Sequence, residues 1–210
     1  VDGLDNEWMV LALAQAEKTI GDWKFGMAGQ YLYLQQAFSL EFEEFDLGST
    51  EIAMHQFQLT PRVQYALGRD VDIKLSLPSA MNWFDDSSQN YEEKGLAIEL
   101  GRKFTSGASL SLSYGYEQRD YDERLERTTD GVSLAGSSLS WQEHQIDLTF
   151  DFHLDKAKHW RSKSRVRYRL VEDDGSGYQD FRMVKFTETI GYKGDSWGVL
   201  LDAGYTHYDY

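Results

Sequence analysis

HQIDLTFDFHLDKAKHWRSKSRVRYRL, residues 144–170, decides how the rest of the chain is read. Ile146, Leu148, Phe150, Phe152 and Leu154 occupy every second position, with Asp147, Thr149, Asp151, His153 and Asp155 between them. Side chains alternate across a strand, so this segment is a strand with one apolar and one polar face. After a short turn, Trp160, Val166, Tyr168 and Leu170 share a face, interrupted by Ser162 and Ser164. Arg161, Lys163, Arg165, Arg167 and Arg169 share the other. An antiparallel pairing that keeps the apolar faces together lays an acidic ladder beside a basic one. Each opposite-charge pair contributes about 0.2–1 kcal/mol, and without it the five cations would repel one another.

The same alternation spreads outward from this hairpin. Upstream, Ala108, Leu110, Leu112, Tyr114 and Tyr116 alternate with Ser109, Ser111, Ser113 and Gly115. Leu96, Ile98 and Leu100 alternate with Ala97 and Glu99, and Val71, Ile73, Leu75 and Leu77 alternate with Asp72, Lys74 and Ser76. Phe57, Leu59, Val63, Tyr65 and Leu67 form a further row, interrupted by Pro61, which counts against a regular central strand. Trp23, Phe25, Met27, Gly29, Tyr31 and Tyr33 make the first row, and the acidic stretch EFEEFDLGST that follows reads as a polar connection. Downstream, Val184, Phe186, Ile190 and Tyr192 form a row on which Glu188 also falls, before Trp197, Val199, Leu201, Ala203 and Tyr205. Counted from Trp23, these are about nine strands. Residues 4–20, LDNEWMVLALAQAEKTI, read instead as a helix, with Asp5 or Asn6 as its cap, Gly21 as its stop, and Trp8, Leu11, Ala12 and Gln15 on one stripe. The division is thus an amphipathic helix or linker over 1–21 and one β domain over 22–210.

Bulk properties restrict the class further. The 210 residues suit one large domain. No cysteine is present, which rules out disulfides and thiolate metal sites. No run approaches the roughly 18 apolar residues of a membrane helix. The mean hydropathy of -0.56 looks soluble, but a transmembrane barrel also scores as polar because only alternate residues meet lipid. A net charge of -14 argues against nucleic acid as a partner. Connections alternate between short ones, near 68–70, 104–107, 155–159 and 193–196, and long ones, near 41–51, 84–94, 117–138 and 172–180. Aromatics gather at both ends: Trp83, Phe84, Tyr114, Tyr116 and Trp141 near the long connections, and Trp23, Phe104, Trp160, Tyr192 and Trp197 near the short ones.

Period-two strands, alternating turn lengths and two aromatic girdles together resemble the Gram-negative outer-membrane β-barrels over residues 22–210. Segments such as YGYEQRDYDER and GVLLDAGYTHYDY are similar to barrel strands that continue into outer loops. The resemblance implies an all-β, antiparallel up-and-down transmembrane β-barrel in the bacterial outer membrane, preceded by a short N-terminal helix. It implies contact with outer-membrane lipid and lipopolysaccharide, and it leaves room for an assembly partner in the periplasm or the outer membrane. An odd strand count that ends outward suggests a barrel incomplete at its C-terminus.

For chemistry, the five histidines His55, His144, His153, His159 and His207 show no metal-binding spacing, and no nucleophile elbow, phosphate loop or EF-hand pattern occurs. The expectation is therefore a protein with no cofactor, no metal and no enzymatic activity. Two constellations deserve a structural check: His153 beside Asp151 and Asp155 as an acid–base pair, and Ser133, Ser137 and His144 as an outer-membrane hydrolase site. The more informative set is the charged ladder, Asp147, Asp151, His153, Asp155, Arg161, Lys163, Arg165, Arg167 and Arg169, expected to face the lumen. Leu110, Leu112, Ile146, Leu148, Phe150 and Phe152 are expected to face lipid. A narrow barrel makes this ladder a salt-bridged filling, and a wide one makes it a stripe on a pore wall. The leading function is a pore, export channel or membrane scaffold for polar solutes or a secreted polymer. The alternatives are a barrel enzyme acting on lipid or peptide and a soluble β-barrel or sandwich that binds a ligand.

Overall fold

The computed structural model describes residues 4–42, 45–177 and 179–210, with side chains described at 8–36, 53–177 and 179–210. Among the described residues, eleven strands form one sheet: β1 Leu4–Ile20, β2 Trp23–Phe42, β3 Phe45–Ala66, β4 Val71–Ser76, β5 Ser79–Phe84, β6 Tyr91–Lys103, β7 Ser109–Tyr121, β8 Ser140–His153, β9 Trp160–Asp173, β10 Phe181–Lys193 and β11 Gly198–Asp209. Each pairs antiparallel with its sequence neighbour, except that β4 and β5 run in line and both pair with β3 and β6. The eleven strands therefore make ten passes, and β1 and β11 lie at the two ends of the strand order.

The break between β4 and β5 has a local cause. The chain's two prolines, Pro61 in β3 and Pro78 between β4 and β5, lie at the same level of the sheet. Pro61 lacks the N–H that a facing strand would accept, although its carbonyl still accepts from Leu77 N at 3.0 Å. Pro78 in turn accepts from Gly95 N at 2.8 Å. A Cβ on Gly95 would stand 3.0 Å from the Pro78 ring and 2.9 Å from the Tyr116 carbonyl, so glycine is what lets β6 pass the kink. Pro61 thus interrupts a strand, but the neighbouring one.

Register turns the alternation into continuous rows. Ile20, Trp23, Tyr65, Ile73, Leu100, Leu112, Leu148, Val166, Phe186 and Tyr205 are successive cross-strand partners, one from each pass. All are apolar or aromatic, and all except the half-buried Tyr65 are exposed. The next row, on the other face, is Thr19, Lys24, Gln64, Lys74, Glu99, Ser113, Asp147, Arg167, Lys185 and Thr206. Every member is polar. The first row starts beside the β1–β2 turn and ends at Tyr205, well above the start of β11 at Gly198. That stagger is the strand tilt by which a sheet curls toward a barrel.

Three expectations change. Residues 4–20 are a strand, paired with β2 from Leu4↔Phe38 to Ile20↔Trp23, and not a helix. Residues 8–14, WMVLALA, are apolar at every position, so this part of the strand is apolar on both faces and shows no period of two. The strand also supplies the tenth pass, which removes the odd count and the boundary at residue 21. Second, the acidic stretch read as a connection is largely hairpin, because β2 runs to Phe42 and β3 starts at Phe45. Third, Trp141 does not belong to an exposed girdle. It is buried on the polar face with Tyr121, Leu139 and Val171, against Tyr91 and Phe181.

That small core sits at the long-connection end, where the loops tie together. Asp122 N donates to Asn90 O at 3.1 Å, the Ser87 hydroxyl to Glu123 at 2.9 Å, and Ser140 N to Asp174 at 3.1 Å. At the short-turn end, Trp160, Tyr192 and Trp197 pack in series as tilted rings, with centroids 4.8 and 4.6 Å apart.

Candidate functional site

The charged ladder assembles on β8 and β9 much as the alternation requires. Asp147 lies opposite Arg167, Thr149 opposite Arg165, Asp151 opposite Lys163 and His153 opposite Arg161. Asp147 accepts from Arg165 Nε at 2.7 Å and from Arg167 Nε at 2.9 Å. Arg161 grips Asp151 through two nitrogens, and Arg169 meets Glu143. The acidic side is thus extended by Glu143, which lies two alternations before Asp147 on the same face.

The depth of these partners differs in a consistent direction. Side-chain exposure is 7% for Asp147 against 41% for Arg165 and 29% for Arg167. It is 14% for Asp151 against 63% for Arg161. The carboxylates are sunk against the sheet and the guanidiniums lie over them. β10 adds Lys185 opposite Arg167, and among the described residues neither Lys163 nor Lys185 forms an ion pair.

Asp155 is not part of the ladder. β8 ends at His153, and the Asp155 carboxylate folds into the turn to accept from Trp160 N at 2.8 Å and His159 N at 3.2 Å. These backbone donors, Trp160 foremost, hold its carboxyl below the usual carboxylate range. An acid in a strand-end turn caps free N–H groups more readily than it crosses to the next strand. The acid–base pair around His153 does not form either. Asp151 is taken by Arg161, Asp155 by the turn, and the buried His153 Nδ1 has no hydrogen-bond partner among the described residues. Ser137 donates to the Leu134 carbonyl at 2.8 Å, and His144 Nδ1 meets the Tyr114 hydroxyl at 2.9 Å. Ser133 lies in an isolated bridge with Arg127, so these three residues do not form a nucleophile–base set.

On the opposite face, Leu110, Leu112, Ile146, Leu148 and Phe150 are exposed, and Phe152 is half-buried against Phe150, 4.8 Å between centroids. The three sequence irregularities of this face, Ser162, Ser164 and Glu188, explain one another. Ser164 is opposite Glu188 and Ser162 opposite Ile190, and both serine hydroxyls donate to the Glu188 carboxylate at 2.5 Å. Two near-identical aromatic clasps also lie here. Tyr31 bonds His55 Nδ1 at 2.8 Å with Tyr33 tilted against the ring, as Tyr114 and Tyr116 do with His144.

Sequence reading missed a second charged group on the polar face. Arg119 lies between the rings of Tyr91 and Trp141, 4.2 and 4.4 Å from their centroids, while its Nε donates to Glu93 at 2.7 Å. The alternation from Ser109, continued to Tyr121, places Arg119 and Tyr121 on the face of Ser113. Assigning the segment from Gln118 onward to a loop hid that signal.

No family model matches the chain, and no curated protein is similar to it. Among solved structures, it is similar to the crystal structure of the β domain of the Bordetella autotransporter BrkA. The TM-score is 0.53 at 8% identity, over 97% of this chain and 84% of that one. At that identity the likeness is one of fold: an antiparallel, up-and-down β-barrel architecture with almost no helix.

Proposed function

We propose that this chain is an outer-membrane β-barrel whose apolar face meets lipid and whose charged face lines an aqueous interior through which polar material passes or is exported. The observation that carries the reading is the ten-residue apolar row from Ile20 to Tyr205, exposed at every position but Tyr65 and backed by a row of ten polar residues. In water the apolar row would be the face to bury. Here the buried residues of β8 are Trp141 and the charged Asp147, while Ile146, Leu148 and Phe150 stand outside. A bilayer reverses the usual arrangement in this way. The similarity in fold to an autotransporter β domain supports the same environment, with export as the activity most in keeping with it. Tilt and an even number of passes suit closure, because they leave β1 and β11 antiparallel to each other.

The test is purification with and without detergent, followed by gel mobility of heated and unheated samples. The reading expects a protein that needs detergent and whose unheated band migrates differently from the boiled one. A monodisperse, cooperatively folded protein in plain buffer would contradict it. Conductance across a planar bilayer then separates a pore from a filled scaffold.

A further inference from the structure

The ladder holds more positive than negative charge, and the excess is concentrated. Lys163, Arg165, Arg167 and Lys185 are neighbours on one face of β9 and β10, with Thr149 and Thr187 flanking Arg165 in register. One sunken carboxylate, Asp147, serves both arginines. Each reaches it through Nε, so both guanidiniums keep their terminal nitrogens as donors toward the open side. The other acids nearby are engaged: Asp151 with Arg161, and Asp202 as acceptor from the Thr189 hydroxyl at 2.5 Å. Counting Asp147 and Asp202 against the four cations leaves the patch at +2, within a chain of net charge -14.

Approach to the patch is also polarised. Lys156, Lys158 and Lys193 lie exposed at the short-turn end of the same strands, where they outnumber Asp155 and Asp195. The long-connection end carries Asp122, Glu123, Glu126, Asp174 and Asp180. Anions are thus attracted from the short-turn side and repelled from the other.

We propose that Lys163, Arg165, Arg167 and Lys185, with the Thr149 and Thr187 hydroxyls, form a binding site for oxyanion solutes bearing phosphate or carboxylate groups, loaded from the short-turn end. Planar guanidinium forks match such oxyanions, and Lys185 and Lys163, the latter opposite an Asp151 already held by Arg161, supply further charge. The site deepens the pore reading and rests on the charged face being the interior wall.

The experiment is calorimetric titration of the detergent-folded protein with inorganic phosphate and, separately, with citrate, beside the double variant K163Q/K185Q. Both lysines are exposed and unpaired, so the variant keeps the fold, checked by the heat-dependent gel shift. We expect saturable binding that weakens as NaCl is raised and a dissociation constant about tenfold larger in the variant. Phosphate binding without citrate binding narrows the class to phosphate; the reverse narrows it to carboxylates. Equal affinity in both proteins, or no saturable binding of either anion, overturns the proposal. Conductance is measured in parallel. Binding without conductance refutes the pore and leaves the site, whereas conductance without binding does the opposite.

Discussion

The polar face of the sheet is built in two ways. On β8–β10 it is charged along its length, from Arg161 near the short turn to Arg169 and Glu143 near the long connections. Among the described side chains of β1–β3, charge on this face is confined to the short-turn end, where Glu17 holds Lys24 at 2.8 Å and also Arg62. Above that, the same face carries Gln30, Gln58 and Thr60, and then Leu11, Leu13 and Leu32. A cavity of about 260 Å³ is lined there by Leu13, Gln15, Gln30, Gln58 and Thr60. One wall is thus a dense ionic lattice and the other a neutral amide and aliphatic surface. A strand whose two faces differ announces itself by alternation, and a strand whose faces agree does not.

Several substitutions probe that contrast, beginning with the largest expected effect. Asp147→Ala removes the acceptor shared by Arg165 and Arg167 and leaves two cations over a buried position. A loss of about 3–5 kcal/mol is expected in unfolding from detergent or bilayers by urea. Glu17→Ala removes an acceptor that is itself more exposed, 30% against 7% for Asp147, from Lys24 and Arg62, and should cost about 1 kcal/mol or less. Comparable losses would erase the distinction between the walls.

Leu148→Arg puts a charge on the apolar face and should cost about 2–4 kcal/mol if that face meets mid-membrane lipid. Leu13→Arg, on the other face, should cost less than half as much in the same unfolding assay. Equal tolerance would mean that the two faces share one environment.

The paired change Ser162→Ala with Ser164→Ala strips the Glu188 carboxylate of both hydroxyl donors within the apolar face. The expected loss is about 1–3 kcal/mol, largely recovered by adding Glu188→Leu. Failure of that third change to restore stability would show that the serines act elsewhere.

The smallest effect is on pH. Because its backbone donors keep the Asp155 carboxyl below the usual range, the turn gains stability above the unfolded-state pKa. That stability is lost as pH falls through the folded-state value. Amide exchange at Trp160 and His159 should quicken over that acid window in the native protein and be insensitive to it in Asp155→Ala.

These contrasts also explain what the sequence discloses. The β8–β9 hairpin was legible because every second residue changes from aliphatic to ionic, which fixes strand, face and register together. In β1, the run from Trp8 to Ala14 is apolar at every position. Periodicity then has nothing to report, and only pairing with β2 assigns the strand. Asp155 looked like another rung because alternation continues into the turn, whereas the free N–H groups of His159 and Trp160 are nearer than any cross-strand cation. The relative depth of carboxylate and guanidinium, which makes the face electropositive, depends on how side chains of unequal length lie on the sheet. Residue type alone does not convey it. The meeting of Ser162, Ser164 and Glu188 needed the β9–β10 register, although three polar residues on otherwise apolar rows already marked the place.

The central claim is that the apolar row faces lipid and the charged row faces water. The absence of cysteine makes single-cysteine variants clean. Spin labels at Leu112, Leu148, Val166 and Phe186, and then at Ser113, Thr149, Thr187 and Thr206, would be compared in bilayers for collision with oxygen and with a water-soluble nickel chelate. The account expects the first four to be reached by oxygen and shielded from the chelate, and the second four the reverse. Equal chelate access on both faces, or the opposite pattern, would contradict it.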